Sequence, residues 1–313
     1  MKEQTKLIFI LAIIITTVMA LSSVTVAQNS ADAYRVDEFS TTDSPLVDVA
    51  TSGGFVEIIG TDENVVVSEM YVRQGRRYLS ASDTDLSDFE ITIEKDGDNV
   101  TIRAEQEGNR FFSMSRRPSI SFKVYVPHNA IASGRTSGGY VAAYDLTNGI
   151  DLRTSGGSVT AENITGEISL RTSGGRISVE NLSGDVDART SGGSINANQV
   201  TGTAELRTSG GSIDIDNMAA KISARTSGGS ISASLKAFDE DVDLRTSGGN
   251  IRIDIPEKEN FDLELRGQRV NIELRNFSGE AERNNIRGYV GNGGPMLNAR
   301  TSGGSVSVNY RRN

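Results

Sequence analysis

The chain contains no cysteine, no tryptophan, one histidine and only five prolines in 313 residues. Without cysteine there can be no disulfide, no thiolate metal site and no lipid attached through a cysteine. The lone His128 follows Pro127 at a strand end. It cannot build a multi-histidine metal site, and it reads as a strand-end residue, not a catalytic base. Lys and Arg are outnumbered by Asp and Glu, leaving a formal net charge of −9. That excludes general nucleic-acid binding, which needs a basic surface to neutralise phosphates. Long apolar runs are also scarce. The one example, Leu7 to Leu21, is about 15 residues, short of the ~20 that span a bilayer. Lys2 and Lys6 precede it and Thr25-Val26-Ala27 follows it. Residues 1–27 are therefore expected to be a cleaved signal peptide and 28–45 a polar leader with an edge strand near 34–39. The expected location is exported: periplasm, outer surface or secreted, with no transmembrane anchor left after cleavage.

What is abundant is glycine, 33 residues of it, and it is periodic. The pentapeptide Arg-Thr-Ser-Gly-Gly places its Thr at Thr136, Thr154, Thr172, Thr190, Thr208 and Thr226, in steps of 18. Further copies stand at Thr246 and Thr301, and a forerunner at Ala50-Thr51-Ser52-Gly53-Gly54. A short fixed period is the mark of a repeat architecture. Within the unit starting at Arg171, Ile177-Ser178-Val179 and Val186-Asp187-Ala188 alternate as strands do. Ile177, Val179, Val186, Ala188 and Thr190 then share the inner side. The Gly-Gly pairs are expected to turn corners at positive φ, and Asn181-Leu182-Ser183-Gly184 to form a second turn. No Lys-Ser/Thr follows the glycines, so they are not a phosphate loop.

One unit cannot bury its apolar face alone, so the units must stack in parallel. The expected fold is all-β: a parallel β-solenoid (β-helix) of ~18-residue coils over 131–313, of open handedness. A β-rich N-terminal part over 46–130 precedes it, and 46–313 are expected to form one continuous domain. Strands are expected at Val65–Arg73, Phe89–Glu94, Asn99–Glu105 and Ile120–Val126, with a hairpin at Asp96-Gly97-Asp98. A helix is conceivable only around Leu79–Phe89. The Phe- and Arg-bearing run at 106–118 reads as a long hairpin loop, with a membrane- or anion-contacting loop as the other reading. The 55 residues between Thr246 and Thr301 suggest three irregular coils, with the last repeat, Arg300 to Tyr310, as the cap.

Two files of outward side chains invite functional readings. Asp145, Asn163, Asn181, Gln199 and Asn217 occupy one turn position and suit a structural hydrogen-bonded ladder. Arg135, Arg153, Arg171, Arg189, Arg207, Arg225, Arg245 and Arg300 form an arginine file. At ~4.8 Å spacing, neighbours repel by about 0.9 kcal/mol even in bulk water. Asp151, Asp187, Glu205 and Asp243, two residues earlier, answer some of them. The remainder, notably Arg135, Arg171, Arg225 and Arg300, together with Arg189, are the candidate ligand-binding residues of a rail for an acidic polysaccharide. Glu162, Glu180, Asp216 and Asp254 fall at one recurring position of the repeat, as a solvated face would, whereas a glycosidase pair would be singular. No cofactor is implied.

The Arg-Thr-Ser-Gly-Gly-Ser-Ile/Val units with their Asn-Leu/Ile-Ser/Thr-Gly turns resemble the bacterial putative-adhesin domain, a β-strand-repeat family of unknown function. Val124-Tyr125-Val126-Pro127 and the run Gly291 to Gly304 carry the same resemblance, which spans about 46–310. It implies a cell-envelope or surface role and brings no catalytic residues. The expected function is thus a non-enzymatic envelope scaffold or adhesin-like binding surface, its partner an envelope polysaccharide or another envelope protein. The alternatives are an acidic-polysaccharide-binding or envelope-stress signalling module and, last, a carbohydrate-active enzyme.

Overall fold

A computed structural model describes residues 33–84, 86–106 and 118–311. The expected signal peptide, residues 28–32 of the leader and residues 107–117 of the Phe-bearing loop lie outside the described residues. Among those described there is no helix, only strands and turns.

The amino-terminal third supplies β1 (Arg35–Ser40), β2 (Leu46–Thr51), β3 (Val56–Thr61), β4 (Val65–Gln74), β5 (Arg77–Leu79), β6 (Phe89–Asp96), β7 (Asn99–Gln106) and β8 (Ser119–Pro127). The repeats supply β9 (Ile131–Thr136), β10 (Val141–Leu146), β11 (Ile150–Thr154) and four 13-residue strands, β12 (Val159–Arg171), β13 (Ile177–Arg189), β14 (Ile195–Arg207) and β15 (Ile213–Arg225). The last third supplies β16 (Ile231–Leu235), β17 (Val242–Thr246), β18 (Ile251–Pro256), β19 (Phe261–Arg266), β20 (Arg269–Asn271), β21 (Phe277–Ala281), β22 (Asn285–Val290), β23 (Met296–Thr301) and β24 (Ser305–Arg311).

Strands β12 to β15 pair in parallel with a shift of one repeat, Ile177 beside Ile195 and Arg189 beside Arg207. The chain is a parallel β-solenoid. Each long strand bends once, so each coil contributes to two faces. The bend falls at Asn163, Asn181, Gln199 and Asn217, whose φ lies between 52° and 55°, and at the glycine three residues on in the first three. Asn tolerates this left-handed conformation better than most residues. The amides also tie coils together: Asn181 Nδ2 donates to Asn163 Oδ1 at 2.8 Å, and Asn163 Nδ2 to Asp145 Oδ1 at 2.9 Å.

The other corner differs from the sequence expectation. None of the Thr-Ser-Gly-Gly glycines has a positive φ. The second glycine is required because the coils approach too closely for a side chain. A Cβ on Gly193 would sit 1.8 Å from the carbonyl oxygen of Gly175, whereas one on Gly192 would have nothing nearer than 3.6 Å. The buried Thr closes the corner. Thr190 Oγ1 accepts from its own Gly193 N–H at 3.3 Å and donates to the Gly175 carbonyl of the preceding coil at 3.0 Å. The same pair of bonds recurs at Thr154, Thr172, Thr208, Thr226, Thr246 and Thr301.

Inward positions fill the core with aliphatic side chains, all nearly inaccessible. Two of them compensate each other in volume. Where the first face points Ala inward the second points Leu, as in Ala161/Leu170, Ala197/Leu206 and Ala233/Leu244. Where the first face points Val or Ile the second points Ala, as in Val179/Ala188 and Ile215/Ala224. Alternating large and small across facing positions keeps each layer at native density.

The coils do not stack in sequence order at either end. β2 lies between β7 and β9, and β3 between β8 and β10. At the other end β23 lies between β17 and β19, and β24 between β18 and β20. Thr301 is therefore the direct neighbour of Thr246. The three irregular coils expected between them, with the last repeat as cap, are not what forms. The chain runs past, lays down β19 and β20 as the outer coil, and returns to fill the space it left. Beyond the outer coils the pairing turns antiparallel: β4 on β8 and β6 on β7 at one end, β22 on β19 and β21 on β22 at the other. Open parallel edges, which would template aggregation, are thereby covered. The expected strands and the hairpin at Gly97 are present, with φ of 59° at that glycine. The helix considered at Leu79–Phe89 is absent. There Asp83 accepts from Ser80 N–H and Oγ at 2.9 and 2.8 Å, a side-chain-locked turn that competes with helix.

Urea unfolding separates the two glycines. Gly192→Ala should change stability by less than about 0.5 kcal/mol, while Gly193→Ala should cost about 3 kcal/mol or more. Thr190→Val should cost about 1–3 kcal/mol, because Gly193 N–H and the Gly175 carbonyl lose their shared partner. In the core, Leu206→Ala should cost about 2–5 kcal/mol. Adding Ala197→Leu to that variant should recover part of the loss; no recovery would mean that the two positions do not share volume.

Candidate functional site

The second face carries the arginine file, and it is longer than the repeats suggest. Register adds Arg103 on β7 beyond Ala50, and Arg266 on β19 beyond Arg300. Two residues earlier on each strand runs a second file: Thr101, Asp48, Ser133, Asp151, Ser169, Asp187, Glu205, Ser223, Asp243, Asn298 and Glu264. The acids that the sequence shows only within each strand also reach across to neighbouring coils. Asp187 takes Arg189 at 2.7 Å and Arg171 at 3.2 Å. Asp243 takes Arg245 at 2.9 Å and Arg225 at 3.1 Å. Arg189 also reaches Glu205 at 3.4 Å, and Arg207 pairs with the same carboxylate. Arg153 pairs with Asp151 at 2.9 Å.

The arginines that seemed unanswered in sequence are therefore answered in space. Arg135 lies 3.8 Å from Asp48, Arg171 and Arg225 have the partners just given, and Arg300 meets Glu264 at 2.6 Å. All sit in one file with Arg189, and their side chains are 39–48% exposed. Each such pair is worth little alone, since water screens it. What the arrangement does is cancel the repulsion along the file. Slack remains at two rungs: Ser169 Oγ and Arg171 Nε on one, and Arg207 Nε on another, are buried without a hydrogen-bond partner.

Asp48 is engaged by three side chains, Ser133, Arg103 and Arg135. Burial alone would raise its pKa. Hydrogen bonds from Ser133 and Arg103, with the charges of Arg103 and Arg135, outweigh burial and hold it below the usual carboxylate range.

The first face is of another kind. Phe55 and Tyr140, each just before a strand, stack with centroids 5.1 Å apart and planes 5° apart. Tyr71 on β4 lies 6.1 Å from Phe55, and Tyr78 on β5 lies 6.0 Å from Tyr71. Tyr140 Oη donates to Glu57 at 3.3 Å. Burial, then the nearby Glu57 charge, pushes the Tyr140 hydroxyl up to about 12. Past these rings the face becomes an open groove of about 590 Å³ floored by small polar residues and lined by Glu162, Glu180, Asp214 and Asp216. None of these four acids makes an ion pair among the described residues.

A further cleft of about 740 Å³ opens at the carboxy-terminal end beside Lys258, Asn260, Arg275, Asn276 and Tyr310. Sequence reading missed it because its residues belong to no repeat. No group of three or more potential metal ligands occurs among the described residues. His128 is occupied structurally, its Nδ1 2.6 Å from the Asp145 carbonyl oxygen and its Nε2 3.3 Å from Asp62.

A parallel solenoid with periodic faces defines the class: an all-β repeat protein whose surfaces are files of residues. The particular family follows from its sequence. The chain belongs to the Toastrack DUF4097 family, whose model matches residues 15–309. No curated protein matches it. A solved structure of a putative cell adhesion protein from Clostridium sporogenes is similar at 10% identity, with 88% of this chain and 99% of that one covered and a TM-score of 0.24. That likeness bears on neither ligand nor partner here.

A depressed carboxylate pKa contributes stability above the unfolded value and loses it as pH falls through the folded value. Stability should therefore drop as pH falls below about 4, and Asp48→Asn should make that drop shallower. Urea midpoints at pH 7 and pH 3 measure this. Parallel losses in both chains would show that Asp48 does not contribute.

Proposed function

We propose that the protein is an exported, non-enzymatic component of the cell envelope that works as an adhesin-like binding surface on a rigid scaffold. The observation that carries this reading is the contrast between the two faces. One has most of its arginines engaged by carboxylates of the neighbouring file. The other leaves aromatic side chains exposed and, among the described residues, the four acids of its groove without an ion pair. Exposed apolar patches on a stable protein mark contact surfaces more often than accidents. An acidic-polysaccharide rail on the arginine file draws less support, because a polyanion would have to displace the carboxylates already there.

A glycosidase reading also draws little support. That chemistry needs one isolated acid pair held at a defined separation. Here the acids of the groove repeat from coil to coil, Glu162 beside Glu180 and Asp214 two residues before Asp216. Family membership is compatible with the binding reading and assigns no reaction.

Export and contact are tested together. Cell fractionation with protease shaving of intact cells should place the protein in the envelope, and purified protein should be retained on isolated envelopes. Retention should survive Arg171→Ala with Arg189→Ala. A wholly cytoplasmic protein, or one not retained, would overturn the reading. Loss of retention in the double arginine variant, with its fold intact, would return the contact surface to the arginine file.

A further inference from the structure

The row of residues just before the strands of the first face runs along the stack, one residue per rung. Backbone hydrogen bonds fix its register: Phe122 N–H to Phe55, Val56 N–H to Tyr140, Val141 N–H to Ser158, Val159 N–H to Arg176. Successive rungs therefore present Phe55, Tyr140, Ser158 and Arg176. Most repeats carry Ser at this place, so the aromatics and Arg176 are departures from the repeat. Rungs lie ~4.8 Å apart, close to the stacking distance of rings. Phe55 and Tyr140 occupy adjacent rungs and stack. Ser158 leaves the next rung empty of a ring, and Arg176 stands on the rung after it.

Tyr140 is 41% exposed although its ring packs on Phe55. The interval from Tyr140 to Arg176 is two rungs, about 10 Å, which accommodates one ring of ordinary thickness. Its floor is Ser158 and Thr160, both with hydroxyls. Glu57 lies on one side, at hydrogen-bond distance from Tyr140. Glu162 and Glu180 lie on the rungs that follow, in the row of Tyr144. A flat apolar face, hydroxyl donors and carboxylate acceptors in one place suit a pyranose ring, whose C–H face is apolar and whose edge is polar. The carboxylates of the adjoining groove have no internal cations, so an anionic sugar would be repelled and a cationic one attracted.

We propose that a polymer of amino sugars bearing free ammonium groups crosses the first face, with one sugar ring seated on Tyr140 over Ser158. This rests on the binding-surface reading and names its ligand class. The ring completes the aromatic ladder at the empty rung. The sugar chain leaves the seat in the plane of that ring, along the strand over Thr160, where Glu162 on the same rung and Glu180 on the next take the ammonium groups. Arg176 stands on the rung beyond the seat, and the groove lining past it carries no basic residue until its far end, where Arg311 donates to Ser234.

The chain has no Trp, so its tyrosine emission reports binding directly. The probe is a β-1,4-linked glucosamine hexasaccharide, titrated at low and physiological salt, with the corresponding glucose hexasaccharide and hexalysine as comparisons. The glucosamine oligomer should bind, more weakly as salt rises. Tyr140→Ala should weaken it about tenfold or more, as loss of an aromatic anchor does. Ser158→Tyr, which fills the empty rung from within, should block it while leaving the urea midpoint unchanged or raised. The glucose oligomer should bind about tenfold less tightly or worse, lacking the charge. Unchanged affinity in Ser158→Tyr would overturn the proposal even if Tyr140→Ala failed to fold. Hexalysine bound as tightly as the sugar, and indifferent to Tyr140→Ala, would reduce the face to simple acid attraction and also overturn it. If the sugar fails to bind while the protein is still retained on envelopes, this proposal falls and the binding-surface reading stands. If retention fails too, both fall.

Discussion

The structure depends on one buried hydroxyl. In every coil the Thr of the pentapeptide points inward, yet it is polar. It is stable there because it joins two backbone groups that nothing else reaches: an N–H in its own corner and a carbonyl in the corner before. The carbonyl can be that near only because the second glycine has no side chain. Thr and Gly are thus one device, and the device sets the spacing of the corner. Once the corners are in register, the strands on both faces are in register, and every file follows: aliphatic inside, arginine and carboxylate on one outside, rings and acids on the other.

A parallel stack turns any single residue into a line. A charge on one rung becomes a row of like charges, and only a second row of the opposite sign makes the first tolerable. The arginine face meets this demand with Asp, Glu and polar residues two positions away, alternating so that one carboxylate serves two coils. The same logic makes the other face conspicuous. Its groove acids make no ion pair among the described residues, although Glu57 meets Lys123 and Arg311 reaches Ser234, and its rings are bunched on a few rungs instead of running the full length. Cost without internal return is what a surface looks like when its return comes from outside the chain.

The period, the inward Thr and the strand alternation are legible in the sequence, because each is a local pattern repeated often enough to be read. The failures have physical causes. The φ of the corner glycines is not legible because glycine serves two purposes, left-handed turns and close approach, and the letters do not say which. Arg135, Arg171, Arg225 and Arg300 seemed unpaired because pairing was sought two residues back in the same strand; the partner on the next coil is a tertiary fact. The interposed coils were invisible because parallel register identifies which residues match, such as Arg245 with Arg300, but not which rung lies between which. The first face offers a usable signal: Phe55, Tyr140 and Arg176 break the Ser of the repeat.

The interposed carboxy-terminal coil makes the stack sensitive to its own completeness. Repeats down to β17 and β18 can be added in the order they are made, each on a finished edge. The next piece of chain cannot. Its strands β19 and β20 have no seat until residues 296–311 have slid in beneath them. A growing chain therefore carries an unfinished edge, with its antiparallel cover held in waiting, up to nearly the last residue described. A chain stopped short of that point keeps the edge open and the cover undocked, and is open to proteases and to its own kind. The stitch that closes the solenoid thus makes the seating of its outer coil depend on residues 296–311.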